Sequence, residues 1–243
     1  MQHDFVARPT HGRVVTIERH VGLSDIRRDS TLRLDALARF LQDVADHDAT
    51  TAELEGGGVW VLRRLAVEIR RTPRFRADLT LSTWCSGVGA RWAERRSDVF
   101  LGELGCIDAV GLWVHVDPVR GVPVALPAGF DEWWGTAANG RRVRPTLWHP
   151  APTADARVEP WPLRVTDLDV IGHVNNAAYW APVEEELAHR GNPRVTAAEV
   201  EFRAGLDGDE RVEIRTAEAD GGFMQWCCVG EDVRASALVA CDG

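Results

Sequence analysis

The chain has 243 residues, 45% of them hydrophobic and 27% charged, with a net charge of −9. That composition excludes a disordered polymer, and the acidic balance argues against nucleic acid as the main partner. Every basic residue is arginine, which a GC-rich coding bias explains more simply than function does.

In chain order, residues 14–17 read as a strand and 24–30 as a polar loop. A helical pattern follows, with Leu34, Leu37, Leu41 and Val44 recurring at three- and four-residue steps. Alternation then predicts strands. Leu65, Val67 and Ile69 share one face, Ala66, Glu68 and Arg70 the other, and residues 79–84 and 110–116 repeat the pattern until Asp117-Pro118 breaks it. Prolines 145, 150 and 152 and several Gly/Asn turns make 129–156 read as a linker. After it the plan restarts. Residues 161–165 lead to a turn at 169–173, and a helical stretch runs to about His189, where Gly191-Asn192-Pro193 stops it. Strand-like runs follow at 196–203, 211–217 and 223–229, with 236–240 a possible fourth. Pro182, inside the helical stretch, predicts a kink or a restart near 178–182. One helix followed by antiparallel strands, twice over, predicts an α+β architecture. Each half is a long helix wrapped by a curved antiparallel sheet, over 1–128 and 157–243, with the two halves covering each other.

Cys85, Cys106, Cys227, Cys228 and Cys241 form no CxxC pair and no Cys/His metal spacing, as expected of reduced, buried thiols. The first residues lack a basic region leading into an apolar run, and no apolar run approaches the length of a membrane span. A soluble, cytoplasmic protein is expected.

The turn at Asp169, Gly172 and His173 is the densest chemistry in the chain. It puts a carboxylate, a turn glycine and an imidazole within five residues, directly before an amphipathic stretch. Such a strand end, tight turn and helix start can hold a carbonyl oxygen against backbone N–H groups while the carboxylate and imidazole handle protons. A structural turn needs the glycine and a capping side chain, but not the histidine.

At these residues the chain resembles the acyl-ACP thioesterase family, built as two tandem hot-dog domains, over nearly its whole length. The resemblance is carried by residues 31–48, by 59–64 running on to 70–75, and by Trp113-Val114 with Asp117, Arg120 and Pro123. It is most specific at Asp167-Leu168-Asp169 with His173-Val174-Asn175-Asn176 and Tyr179. Two positions depart from the family pattern. Ile171 stands where an asparagine is usual, and Gly205 or Leu206 where a glutamate or cysteine is usual.

The resemblance implies hydrolysis of fatty acyl-ACP to free fatty acid in fatty acid biosynthesis, with no metal and no cofactor. The alternatives are an acyl-CoA thioesterase, or a homologue that binds acyl groups or carrier with impaired catalysis. Asp169 is then the base that activates water, or less simply a nucleophile. His173 orients water or protonates the departing thiolate, and backbone N–H groups near Val174 and Asn175 receive the oxyanion. Asn176, Tyr179, Glu185 and Glu201 are supporting candidates. The first half, lacking such a turn, is expected to shape the acyl pocket, with Trp60 and Trp84 as candidate walls. An acidic carrier needs a basic patch, and Arg63, Arg64, Arg70, Arg71 and Arg74 are the candidates. A monomer and a homodimer both satisfy the packing of a tandem pair.

Overall fold

The computed structural model describes residues 3–52, 58–170 and 172–242. The first half contains β1 (Val15–His20), α1 (Leu34–Thr51), β2 (Val59–Ile69), β3 (Asp78–Val88), β4 (Trp92–Leu101) and β5 (Leu104–Val116). After a short α2 (Phe130–Trp133) come β6 (Arg157–Trp161), α3 (Ala181–His189), β7 (Val195–Phe202), β8 (Val212–Ala219), β9 (Gly222–Val229) and β10 (Asp232–Cys241).

All ten strands form one sheet in the order β1-β3-β4-β5-β2-β7-β10-β9-β8-β6. Read outward from the centre, the strands of each half follow the same sequence of places. The join is the antiparallel pair β2–β7, with Leu65 opposite Val200 and Val67 opposite Ala198. An antiparallel pairing of two equivalent strands is what a two-fold relation between the halves requires.

The periodicity of the sequence decides the faces. Leu34, Leu37, Leu41 and Val44 of α1 are buried, and Leu37 and Leu41 pack in one cluster with Leu65, Val67 and Ile69 of β2 and Val200 and Phe202 of β7. Each such leucine contributes about 2 kcal/mol of burial. Pro182 restarts the second helix as expected. A 3-10 turn at Ala178–Trp180 precedes α3, and the proline falls in the first turn of α3, where its missing N–H has no helical partner to lose.

The segment 129–156 is more structured than a linker. Besides α2 it carries a 3-10 turn at Gly135–Ala138, and it buries Phe130 and Trp134. Its later part straps the sheet face opposite the helices. There Glu201 accepts the N–H groups of Trp148 (2.6 Å) and His149 (3.1 Å), and Arg64 donates to the Thr146 carbonyl (2.6 Å).

His149 is buried in this strap, with Nδ1 2.9 Å from the Ser236 hydroxyl and Glu199, Glu201 and Arg203 as its charged neighbours. Burial holds its pKa below the ordinary value, against the pull of the two glutamates. The folded protein therefore resists a proton that the unfolded chain accepts near pH 6.5, so stability is lost as the pH falls below that value. Melting temperature should drop between about pH 7.5 and pH 5.5, and His149→Asn should flatten that dependence.

Candidate active site

A 3-10 turn at Val165–Asp167 opens the site, capped where Asp167 accepts the Arg164 N–H (2.8 Å). The next turn closes on itself. The Asp169 N–H donates to the His173 carbonyl (2.8 Å), the Gly172 N–H to the Asp169 carbonyl (3.1 Å), and the His173 N–H to Asp169 Oδ1 (3.1 Å). Gly172 has φ +86° with open space where a Cβ would stand, so backbone conformation, not crowding, calls for glycine. Ile171 lies outside the described residues.

Asp169 and Asn176, both from the second half, lie on the wall of a cavity of about 520 Å³. That volume is within the range of small-molecule sites. Most of the wall comes from the first half. Trp60 and Trp113 of that half and Phe130 and Trp134 of 129–156 supply aromatic surface, Arg95 brings a guanidinium, and Gln42 of α1 faces the same space. Trp60 therefore lines the cavity, while Trp84 is buried beside the guanidinium of Arg96. Cys85 also lines it, with its thiol pushed up to about 11 by burial, so it stays protonated near neutrality. Burial pushes Cys227 up to about 12, which suits a structural thiol.

The imidazole of His173 turns outward. It is half-exposed, with Nε2 3.4 Å from Asp207 Oδ1, and a Cβ added to Gly205 would lie 3.8 Å from its Nδ1. It is absent from the cavity wall that carries Asp169. The expected oxyanion donors are already committed. The Val174 N–H bonds the Leu206 carbonyl (2.9 Å) and the Asn175 N–H the Asp167 carbonyl (2.8 Å), so neither is available to a substrate oxygen. Asn175 instead positions the helix start, its Oδ1 accepting the Ala177 N–H (2.9 Å). Tyr179 packs edge-on against Phe202, and burial raises its pKa.

Three further expectations are corrected. Glu185 points to solvent, while its neighbours Glu184 and Glu186 are held by Arg27 and by Arg157 and Arg190. Glu201 is buried on the strap face of β7, opposite Val200 and Phe202, and serves the 148–149 backbone. Arg64 is buried over the Trp148 ring (4.2 Å), which removes it from any docking patch. Arg70, Arg71 and Arg74 are exposed around the β2–β3 turn, and Arg63 is half-buried. Sequence reasoning missed Asp207 and Gln42. The first is brought to His173 only by the fold, whereas the second has a signal in the internal repeat.

A tandem pair of helix-and-curved-sheet units enclosing one polar-edged cavity defines a double hot-dog protein. The description "Acyl-ACP thioesterase N-terminal domain" matches residues 12–128, and "Acyl-ACP thioesterase C-terminal domain" matches 151–232. The chain belongs to the acyl-ACP thioesterase family. It is 32% identical over 239 residues to an uncharacterized protein of Mycobacterium tuberculosis, covering 97% of this chain and 95% of that one. It is 24% identical over 238 residues to the chloroplastic palmitoyl-acyl carrier protein thioesterase of Gossypium hirsutum, covering 85% of this chain and 55% of that longer protein. Among solved structures, the 12:0-ACP thioesterase from Umbellularia californica superposes with a TM-score of 0.81 at 18% identity, covering 95% of this chain and 97% of that one. An acyl-ACP thioesterase from Bacteroides thetaiotaomicron gives 0.79 at 18%, covering 94% and 98%. These two share the fold. No helix among the described residues is long and apolar enough to cross a membrane.

Proposed function

We propose that this protein is a thioesterase that hydrolyses fatty acyl-ACP in the cytoplasm and releases the free acid for lipid metabolism. The observation that supports this most is the position of Asp169 on the wall of an aromatic-sided cavity of about 520 Å³ supplied mostly by the first half. In this reading the acyl chain fills the cavity with its thioester carbon beside Asp169. The carboxylate takes a proton from water as the water oxygen bonds that carbon. The C–S bond then breaks and the thiolate leaves with a proton. His173 turns outward to Asp207, off the cavity wall, so in this reading the proton that reaches the departing sulfur is the one Asp169 took from water. The halves 1–128 and 157–243 act as pocket-forming and reactive domains, and 129–156 contributes Phe130 and Trp134 to the pocket.

Purified protein is given acyl-ACPs of graded chain length and the matched acyl-CoA thioesters. Turnover of the ACP series with a clear optimum in chain length is the expected result. Faster turnover of CoA thioesters would reassign the substrate. Tight acyl binding with no hydrolysis above background would leave a binding protein, a reading favoured by Gly205, where no side chain stands to share His173 with Asp207.

A further inference from the structure

Resting on the thioesterase reading above, we propose that Gln42 of α1 is a catalytic residue of this site. Its side-chain amide donates a hydrogen bond to the thioester carbonyl oxygen while Asp169 accepts the proton of the attacking water. No proton leaves Gln42. It holds the negative charge that builds on oxygen until the C–S bond breaks.

The internal repeat relates the two halves residue by residue here. The first half folds the same turn around residues 22–33. Asp25 accepts the Gly22 N–H (2.9 Å), as Asp167 accepts that of Arg164 (2.8 Å). Ile26 bridges Leu32 as Leu168 bridges Val174. The Arg33 N–H donates to the Asp25 carbonyl (2.9 Å), as the Asn175 N–H donates to that of Asp167 (2.8 Å). Ser30 takes the left-handed backbone (φ 69°) that Gly172 takes (φ 86°). Arg27 thus stands where Asp169 stands in the second half. Carried without insertion into the helices, the same register sets Gln42 where Glu184 stands. Burial agrees, since both are half-buried and each is followed by an exposed acid, Asp43 and Glu185.

In the first half that pair is closed across the join. Arg27 donates twice to Glu184 (2.7 and 2.8 Å), and Glu184 also accepts the Leu34 N–H (2.6 Å). The two-fold relation therefore places Gln42 across from Asp169 and Asn176, and all three lie on one cavity wall. The chemistry of the two copies differs. In the first half the pair is a guanidinium and a carboxylate, whereas in the second it is a carboxylate and a neutral amide. An amide also brings an N–H donor to the cavity wall, while the Val174 and Asn175 N–H groups are spent on backbone carbonyls. A preorganised donor of this kind is worth about 10²–10³-fold in kcat.

The test compares Gln42→Ala, Gln42→Glu and Glu184→Gln with wild type, following kcat, KM and melting temperature. Gln42→Ala should lower kcat about 100-fold with KM within about threefold, because the bond tightens only in the transition state. Gln42→Glu, nearly isosteric but an acceptor only once ionised, should lower kcat similarly while melting temperature stays near wild type, a split that lost packing does not produce. Glu184→Gln, in the equivalent place outside the cavity, should lower melting temperature and keep wild-type kcat. Gln42→Ala within twofold of wild type beside an inactive Asp169→Asn overturns this inference alone. An equal loss of kcat in Glu184→Gln traces the effect to helix packing and overturns it as well. Absence of wild-type turnover on every ACP and CoA thioester overturns both this and the thioesterase reading.

Discussion

Asp169→Asn should reduce kcat for thioester hydrolysis by about 10³-fold, equivalent to about 4 kcal/mol of transition-state stabilisation. The substitution is nearly isosteric, and an amide oxygen can still accept the His173 N–H that holds the turn at 3.1 Å. Gly172, the Asp167 cap and the neighbouring backbone bonds are untouched, so melting temperature should stay within a degree or two. What disappears is the ability to take a proton from water beside the acyl carbon. Because the cavity walls of Trp60, Trp113, Phe130 and Trp134 are untouched by the substitution, KM should change little. Steady-state kinetics on the best acyl-ACP, with a melting curve on the same sample, separates these effects. A loss smaller than tenfold would remove Asp169 from the chemistry.

Asp48→Ala should destabilise the fold by about 3 kcal/mol. Asp48 is 1% exposed in the last turns of α1. Its carboxylate gathers Arg13, Arg95 (2.6 Å) and the Trp134 indole N–H (2.9 Å). It therefore ties α1, β4, the segment before β1 and the α2 region into one knot beside the cavity. Removing the anion leaves two guanidiniums facing each other and a buried indole donor without its acceptor. Both arginines keep some access to water, at 21% and 18% exposure, which tempers the cost. For a chain of this size the expected fall in melting temperature is about 6–12 °C. Asp48→Asn, which keeps an acceptor for the indole, should lose less. Equal stability of Asp48→Ala and wild type would show that the knot contributes nothing.

The architecture was legible in the sequence because its signals are local. The three- and four-residue recurrence from Leu34 to Val44 and the alternation of Leu65, Val67 and Ile69 each depend on a few neighbouring residues, and each appears as expected. The turn at Asp169 was legible for the same reason. Where the imidazole points was not, because Asp207 lies in a distant loop that only the sheet brings to His173. The fate of the Val174 and Asn175 N–H groups was hidden likewise, since their acceptors lie outside the helix whose start they mark. Glu201 shows a signal present but unused. Strand parity alone sets it opposite Val200 and Phe202, hence away from the helices. Gln42 was readable only by laying one half over the other, a comparison of 25–32 with 167–174 that periodicity within a single element does not make.

The antiparallel β2–β7 seam also bears on how such a molecule can change. Two identical chains meeting along such a seam would share one gene, and every mutation would strike both copies at once. A single polypeptide lifts that tie. Arginine at position 27 can turn one copy of the loop into a clamp while aspartate persists at position 169 in the other. Each half can then be tuned without disturbing its twin.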